Sequence, residues 1–132
     1  YDDIINIAYK NNIDGLIISN TSTERPSNLT SRFCSESGGL SGKPLRDKSN
    51  EVLKLIAAKT KGEISLIGVG GISNAKDVYQ KIKLGASAVQ LYTALTFEGS
   101  KLIENIKRDL VKFLKQDNFE NIEQAVRSEI KN

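Results

Sequence analysis

The chain's 132 residues, 39% apolar and 27% charged, have the composition of one soluble globular domain and exclude a fibrous or disordered segment. A formal net charge of +3, with lysines spread along helices rather than gathered among aromatics, argues against a nucleic-acid partner, and no apolar run approaches the roughly 18 residues of a membrane span. A single cysteine excludes an internal disulfide and fits a reducing compartment.

The sequence lacks methionine and opens at Tyr1 inside a helical pattern, Ile4, Ile5, Ala8 and Tyr9, so it reads as a piece of a longer protein with no signal peptide at its start. Asn12 and Asp14 bracket a turn, after which "GLIIS" is continuously apolar, as a buried strand is. From Thr21 to Leu45 the composition changes to Ser, Thr, Gly, Pro and Arg, over a connection far longer than the roughly two to six residues usual between a strand and its helix. Ser49 is the expected cap of the next helix, with Val52, Leu53, Ile56 and Ala57 on its inner face and Gly62 as its stop. The strand "ISLIGVG" follows. Ser73 is then expected to cap a helix that faces inward through Ala75, Val78, Tyr79 and Ile82 and ends at Gly85 in a left-handed conformation. "SAVQLYT" reads as a third strand. Leu102, Ile103, Ile106, Leu110, Phe113 and Leu114 mark a long helix with Lys and Arg on a solvated face. Asn121 and Gln124 suggest a capping box for a short terminal helix that packs back through Ile122, Ala125 and Val126.

Repeated strand-helix units with apolar strands demand a parallel sheet covered by helices, either an open doubly wound sheet or a closed barrel. Three strands alone leave bare edges, and a complete eight-stranded barrel takes about 250 residues. The α/β chain therefore reads as the later half of a barrel.

Chemistry concentrates at the strand ends. In "GVGGIS", Gly68, Gly70 and Gly71 permit a sharp turn and leave amide N–H groups uncovered, and the helix starting near Ser73 adds its positive end, which suits an anion. A second glycine-containing turn, "TALTFEGS", follows the next strand, and paired turns of this kind make phosphate sites in barrels. A tight turn without any ligand explains the same glycines. "LIISNTS" ends in Ser19, Asn20 and Thr21; the Asn20 carboxamide both donates and accepts, which suits an imide-like ligand, and an Asx turn is the structural alternative. In "GGLSGKPL", Gly38, Gly39 and Gly42 expose backbone and Lys43 offers a positive charge, unless the segment is only a flexible loop. Cys34 lies in a polar loop of a sequence that has no histidine to activate it, so it reads as an inert thiol.

"DGLIISNTSTERP", "GGLSGKPLRDKS", "LIGVGGISNAKDVYQKIKLGAS" and "VQLYTALTFEG", in that order, resemble the C-terminal part of class 2, quinone-linked dihydroorotate dehydrogenase, and "LYTALTF" resembles its eukaryotic mitochondrial members. The resemblance implies the C-terminal portion of a TIM (β/α)8 barrel, strands six to eight, with residues 1–132 inside a single FMN-binding domain. It implies an oxidoreductase of pyrimidine biosynthesis that passes a hydride from dihydroorotate to FMN and then to ubiquinone. By motif match, backbone amides at Gly70, Gly71, Tyr92 and Thr93, beside Leu91, hold the flavin phosphate. Ser41 and Gly42 match flavin contacts, Ser19 matches a hydroxyl near the flavin ring, and Asn20 and Thr21 match residues that hold orotate. The catalytic base, a serine in class 2 enzymes, belongs to an upstream segment not in this chain, as do the quinone-admitting helices that attach the enzyme to the mitochondrial inner membrane. Cys34 does not match the cysteine base of class 1 relatives. Two alternatives stay open: another FMN or phosphate-binding barrel enzyme, and a non-catalytic phosphate-binding remnant. The isolated piece is expected to be inactive.

Overall fold

A computed structural model describes residues 1–130. Helix α1 (Asp2–Lys10) leads into strand β1 (Gly15–Ile18), and a long loop then closes through a 3-10 turn at Lys43–Leu45 into α2 (Arg46–Thr60). Strand β2 (Ser65–Val69), α3 (Ala75–Lys83) and β3 (Ala88–Gln90) follow, then α4 (Thr93–Glu98), α5 (Lys101–Gln116) and α6 (Ile122–Ala125). The three strands pair parallel in the order β1-β2-β3. Chain order equals sheet order with no switch point, as in a barrel wall and unlike a doubly wound sheet.

Side chains alternate across the sheet. Ile18, Leu66 and Gly68 face the helices and are buried against Leu53, Ile56 and Ala57 of α2 and Val78 and Ile82 of α3. Leu102 and Ile106 of α5 complete that layer, and the Tyr79 ring stacks on Phe113 with centroids 5.6 Å apart. The opposite face is more open, with Ile17 55% exposed. The strands are thus covered on the helical side only, which departs from the doubly buried strands expected from their apolar runs. In α1 the buried pair is Ile5 and Ala8, while Ile4 is exposed.

Several local expectations are corrected. Ser49 does not cap α2: the helix starts three residues earlier behind the Pro44 turn, and Ser49 is buried within it. Lys61 itself takes the left-handed conformation at the end of α2, one residue before Gly62. Asn74, not Ser73, caps α3, its Oδ1 accepting the Asp77 N–H at 3.0 Å. The third strand stops at Gln90, its last partner being Val69, and "TALTFE" forms helix α4 rather than an open turn. Gly85 does take positive φ, as expected, where an added Cβ would press on Ala57. Asn121 caps α6 by accepting the Gln124 N–H, and Gln124 reaches back to the Glu120 N–H. Among the described residues no helix is long and apolar enough to cross a membrane.

Candidate functional site

The parallel register sets Ile18 beside Gly68 and Val69 beside Gln90, so all three strands end at the same edge of the sheet. The residues that follow them enclose a cavity of about 380 Å³. Its walls are Ser19, Asn20 and Thr21 after β1, Gly70 and Gly71 after β2, and Leu91, Tyr92 and Thr93 after β3, with Ser41 and Gly42 closing it from the long loop. All ten residues placed by motif match therefore meet in one place, while Gly38, Gly39, Lys43 and Gly68 do not line it. Leu45, Val69 and Ile72 add apolar surface that sequence reasoning missed, although their places in "KPL", "GVG" and "GIS" beside the predicted residues were a usable signal.

The glycine pair has a steric reason. Gly71 has φ +74°, and a Cβ there would overlap the backbone of Arg46 at the start of α2. Gly70 has φ +105°, and a Cβ would press on Ser49 and Leu45 at 3.1–3.3 Å. Among the described residues no backbone acceptor takes the N–H of Gly70 or Gly71, so both remain available to a ligand. The start of α3, by contrast, carries a buried carboxylate. Asp77 is 6% exposed and accepts from the Ser73 N–H at 2.9 Å and the Ser73 hydroxyl at 2.8 Å, and Arg46 approaches its other oxygen at 3.5 Å. Ser73 and Asn74 at the start of α3 do not line the cavity, whereas Gly70 and Gly71 do.

Two contacts tie the walls together. The Thr93 hydroxyl donates to Ser41 Oγ at 3.0 Å, and Gly42, with φ +80°, leaves just enough room for the Thr93 methyl. The long loop is pinned at its base by Ser22 and Leu40, which exchange backbone hydrogen bonds of 3.1 and 2.7 Å. Gly39 has no Cβ because Thr21 occupies that space. Asn20 Oδ1 accepts the Thr21 N–H at 2.7 Å, a contact with the next residue rather than the two-residue reach of an Asx turn, because the Ser22 N–H goes to Leu40, and among the described residues the Asn20 amide NH₂ stays free to donate. Lys43 lies outside this cavity, on the rim of a neighbouring one beside Ser73 and Phe97. Cys34 is exposed on the far part of the loop, away from the cavity.

No charged side chain lines the cavity. Neutral N–H and hydroxyl donors together with the apolar surface of Leu45, Ile72 and Leu91 suit a ligand that has both an anionic and an apolar part. Among the described residues no group of acids, cysteines or histidines is arranged to hold a metal ion.

Consecutive parallel βα units that share a glycine-lined cavity at their strand ends define a segment of an α/β barrel. The family model described as dihydroorotate dehydrogenase matches residues 1–114. Mouse mitochondrial dihydroorotate dehydrogenase (quinone) is 48% identical over 125 residues, 95% of this chain and 32% of the relative. The mitochondrial dihydroorotate dehydrogenase (quinone) of Oryza sativa is 47% identical over 131 residues (98% and 28%), and the dihydroorotate dehydrogenase (quinone) of Halobacterium salinarum is 41% identical over 128 residues (97% and 36%). The crystal structure of ligand-free DHODH from Eimeria tenella superposes with a TM-score of 0.94 at 35% identity, covering 98% of this chain and 36% of that one. The chain belongs to the dihydroorotate dehydrogenase family, and its fold is a portion of that family's TIM barrel. It spans about a third of the length of the relatives it matches.

Proposed function

We propose that the chain is the C-terminal part, strands six to eight, of a quinone-dependent dihydroorotate dehydrogenase of the mitochondrial inner membrane, where the whole enzyme oxidises dihydroorotate to orotate in pyrimidine synthesis with FMN as cofactor and ubiquinone as acceptor. The observation that carries this reading is the convergence of all ten motif-matched residues on one cavity of about 380 Å³. FMN, when bound, accepts the hydride that dihydroorotate loses. The Gly70 and Gly71 amides, with those of Tyr92 and Thr93 beside Leu91, hold its phosphate through N–H donors that no side chain shields. Ser41, fixed by Thr93, and Gly42 shape the passage between the phosphate and the ring, and Ser19 stands at the ring end. Asn20 donates its free amide to a carbonyl or carboxylate oxygen of orotate, with Thr21 adding a hydroxyl. Proton removal is assigned to the upstream serine that the family resemblance implies; the cavity lining itself holds no carboxylate, lysine or cysteine. Contact with quinone and membrane is likewise assigned to a region preceding this chain.

In the whole protein, dihydroorotate should bleach the flavin spectrum, orotate should compete, and Asn20→Ala should raise the dihydroorotate KM about tenfold, the size of one lost hydrogen bond to a charged ligand. A flavin that dihydroorotate does not reduce would overturn the reading in favour of a different substrate.

A further inference from the structure

The proposed phosphate subsite has no charge in its lining, yet a cation stands behind its wall. Lys81 is 0% exposed on the inner face of α3. Among the described residues it has no carboxylate partner at ion-pair distance. Its Nζ donates to Ser49 Oγ at 2.6 Å and to Asn50 Oδ1 at 2.9 Å, and the Ser49 hydroxyl donates in turn to the Val69 carbonyl at 2.5 Å. Gly68 makes room for the lysine stem, since a Cβ there would lie 3.1 Å from Lys81 Cδ.

The Val69 carbonyl and the Gly70 N–H belong to one planar trans peptide, so fixing the carbonyl toward Ser49 fixes the N–H on the opposite edge. A charged donor at the head of such a chain also polarises each following bond, which strengthens the N–H as a donor. We infer that Lys81 and Ser49 are positioning residues of the anion subsite, orienting and polarising the Gly70 N–H from behind the wall. Burial draws the Lys81 ammonium down to about 8, and Asp77 opposes that loss, so the side chain remains mostly charged near neutral pH. The inference rests on Gly70 and Gly71 being the flavin-phosphate subsite.

FMN and riboflavin share their ring and ribityl chain and differ in the phosphate, so their affinity ratio isolates this subsite. The test measures both dissociation constants by flavin fluorescence on the apo form of the whole protein, as wild type, Ser49→Ala and Lys81→Met, with folding followed by circular dichroism. Each variant should lower the preference for FMN about tenfold while riboflavin affinity stays within about twofold. Folded variants that keep the wild-type preference, or lose both affinities in parallel, overturn the inference and leave the phosphate reading standing. A wild type that binds both flavins alike overturns the phosphate reading, and the inference with it. Should Lys81→Met fail to fold, Ser49→Ala decides the matter, because it removes one hydroxyl from a helix interior that favours alanine.

Discussion

The cavity has two walls of opposite construction. The turn between β2 and α3 is held from the core: Gly71 lies close against the Arg46 backbone, Ser49, itself held by Lys81, donates to the Val69 carbonyl, and buried Asp77 closes the start of α3. The loop between β1 and α2 is held from the surface by one exposed guanidinium. Arg25 donates to the carbonyls of Ser22, Thr23, Glu24, Cys34, Glu36 and Gly38 at 2.7–3.3 Å. The first wall inherits its rigidity from packing, and the second depends on bonds that water contests at every moment. A ligand gripped by the first and covered by the second should therefore feel damage to each differently.

The largest effect is expected at Gly71. Alanine there must hold a left-handed conformation and displace the α2 backbone, which together should destabilise the protein by roughly 3 kcal/mol and abolish FMN binding. Thermal unfolding and flavin content measure the two losses; a Gly71→Ala protein with wild-type Tm and full flavin would show that the core does not set this wall. Asp77→Ala comes next. It strands the Ser73 N–H and hydroxyl, while Arg46 keeps Asp47, and a loss of about 2 kcal/mol in denaturant unfolding is expected. Asp77→Asn, which can still accept one of those bonds, should recover part of it.

The two walls also differ in how far they could be read from sequence. Helical periodicity and apolar runs located the three strands and helices α1, α2, α3, α5 and α6 but not α4 or the 3-10 turn, and "SNT" and "GG" just past their strands located the cavity. The misplaced details all depended on partners remote in sequence. Ser49 resembles a helix cap locally, but the carbonyl it serves is 20 residues away and its lysine 32 residues away. Lys81 is three residues from Val78 and one from Ile82 on an inward face, a signal that a lysine's usual preference for solvent obscures. Ser73 and Asn74 are both competent caps, and the choice between them is made by Asp77 accepting from one while donating its amide to the other. "LYT" has strand propensity, but pairing ends at Gln90, a matter of register that the segment itself does not encode. Arg25 in "TERP" carries no local mark of the six carbonyls it will gather.

Arg25→Ala should sharpen the contrast. Its bonds are exposed and individually weak, so global stability should fall by less than about 1 kcal/mol. The loop itself should loosen. Trypsin cleavage after Arg32 should accelerate several-fold in limited proteolysis, and bound flavin should retard it. Equal cleavage rates in variant and wild type would show that the Ser22–Leu40 pairing suffices to hold the loop.

The smallest effect belongs to neither wall and serves as their control. Lys83 bridges Glu129 at 2.8 Å and Asp117 at 3.6 Å at the far end of α3, and its ammonium lies 4.9 Å from the Tyr79 ring, whose hydroxyl donates to Asp117. The hydrogen bond from Lys83 holds the Glu129 carboxyl below its ordinary value, against a smaller opposing effect of burial and with help from Gln80. A depressed carboxylate contributes stability that is present above its unfolded value of about 4.3 and is lost as pH falls through the lower folded value. The pair is more than a third exposed on the Glu129 side, so after solvent screening the contribution is on the order of 0.5 kcal/mol. Glu129→Gln should flatten the decline of Tm between about pH 5 and pH 3 slightly, and salt should shrink the difference. Flavin affinity at neutral pH should not move, because Glu129 contacts Lys83 and Gln80 in the last turn of α3, none of which lines the cavity. A change in the FMN-to-riboflavin ratio on Glu129→Gln would mean that strain at the distal end of α3 reaches Lys81, and that the rigid wall extends the whole length of the helix.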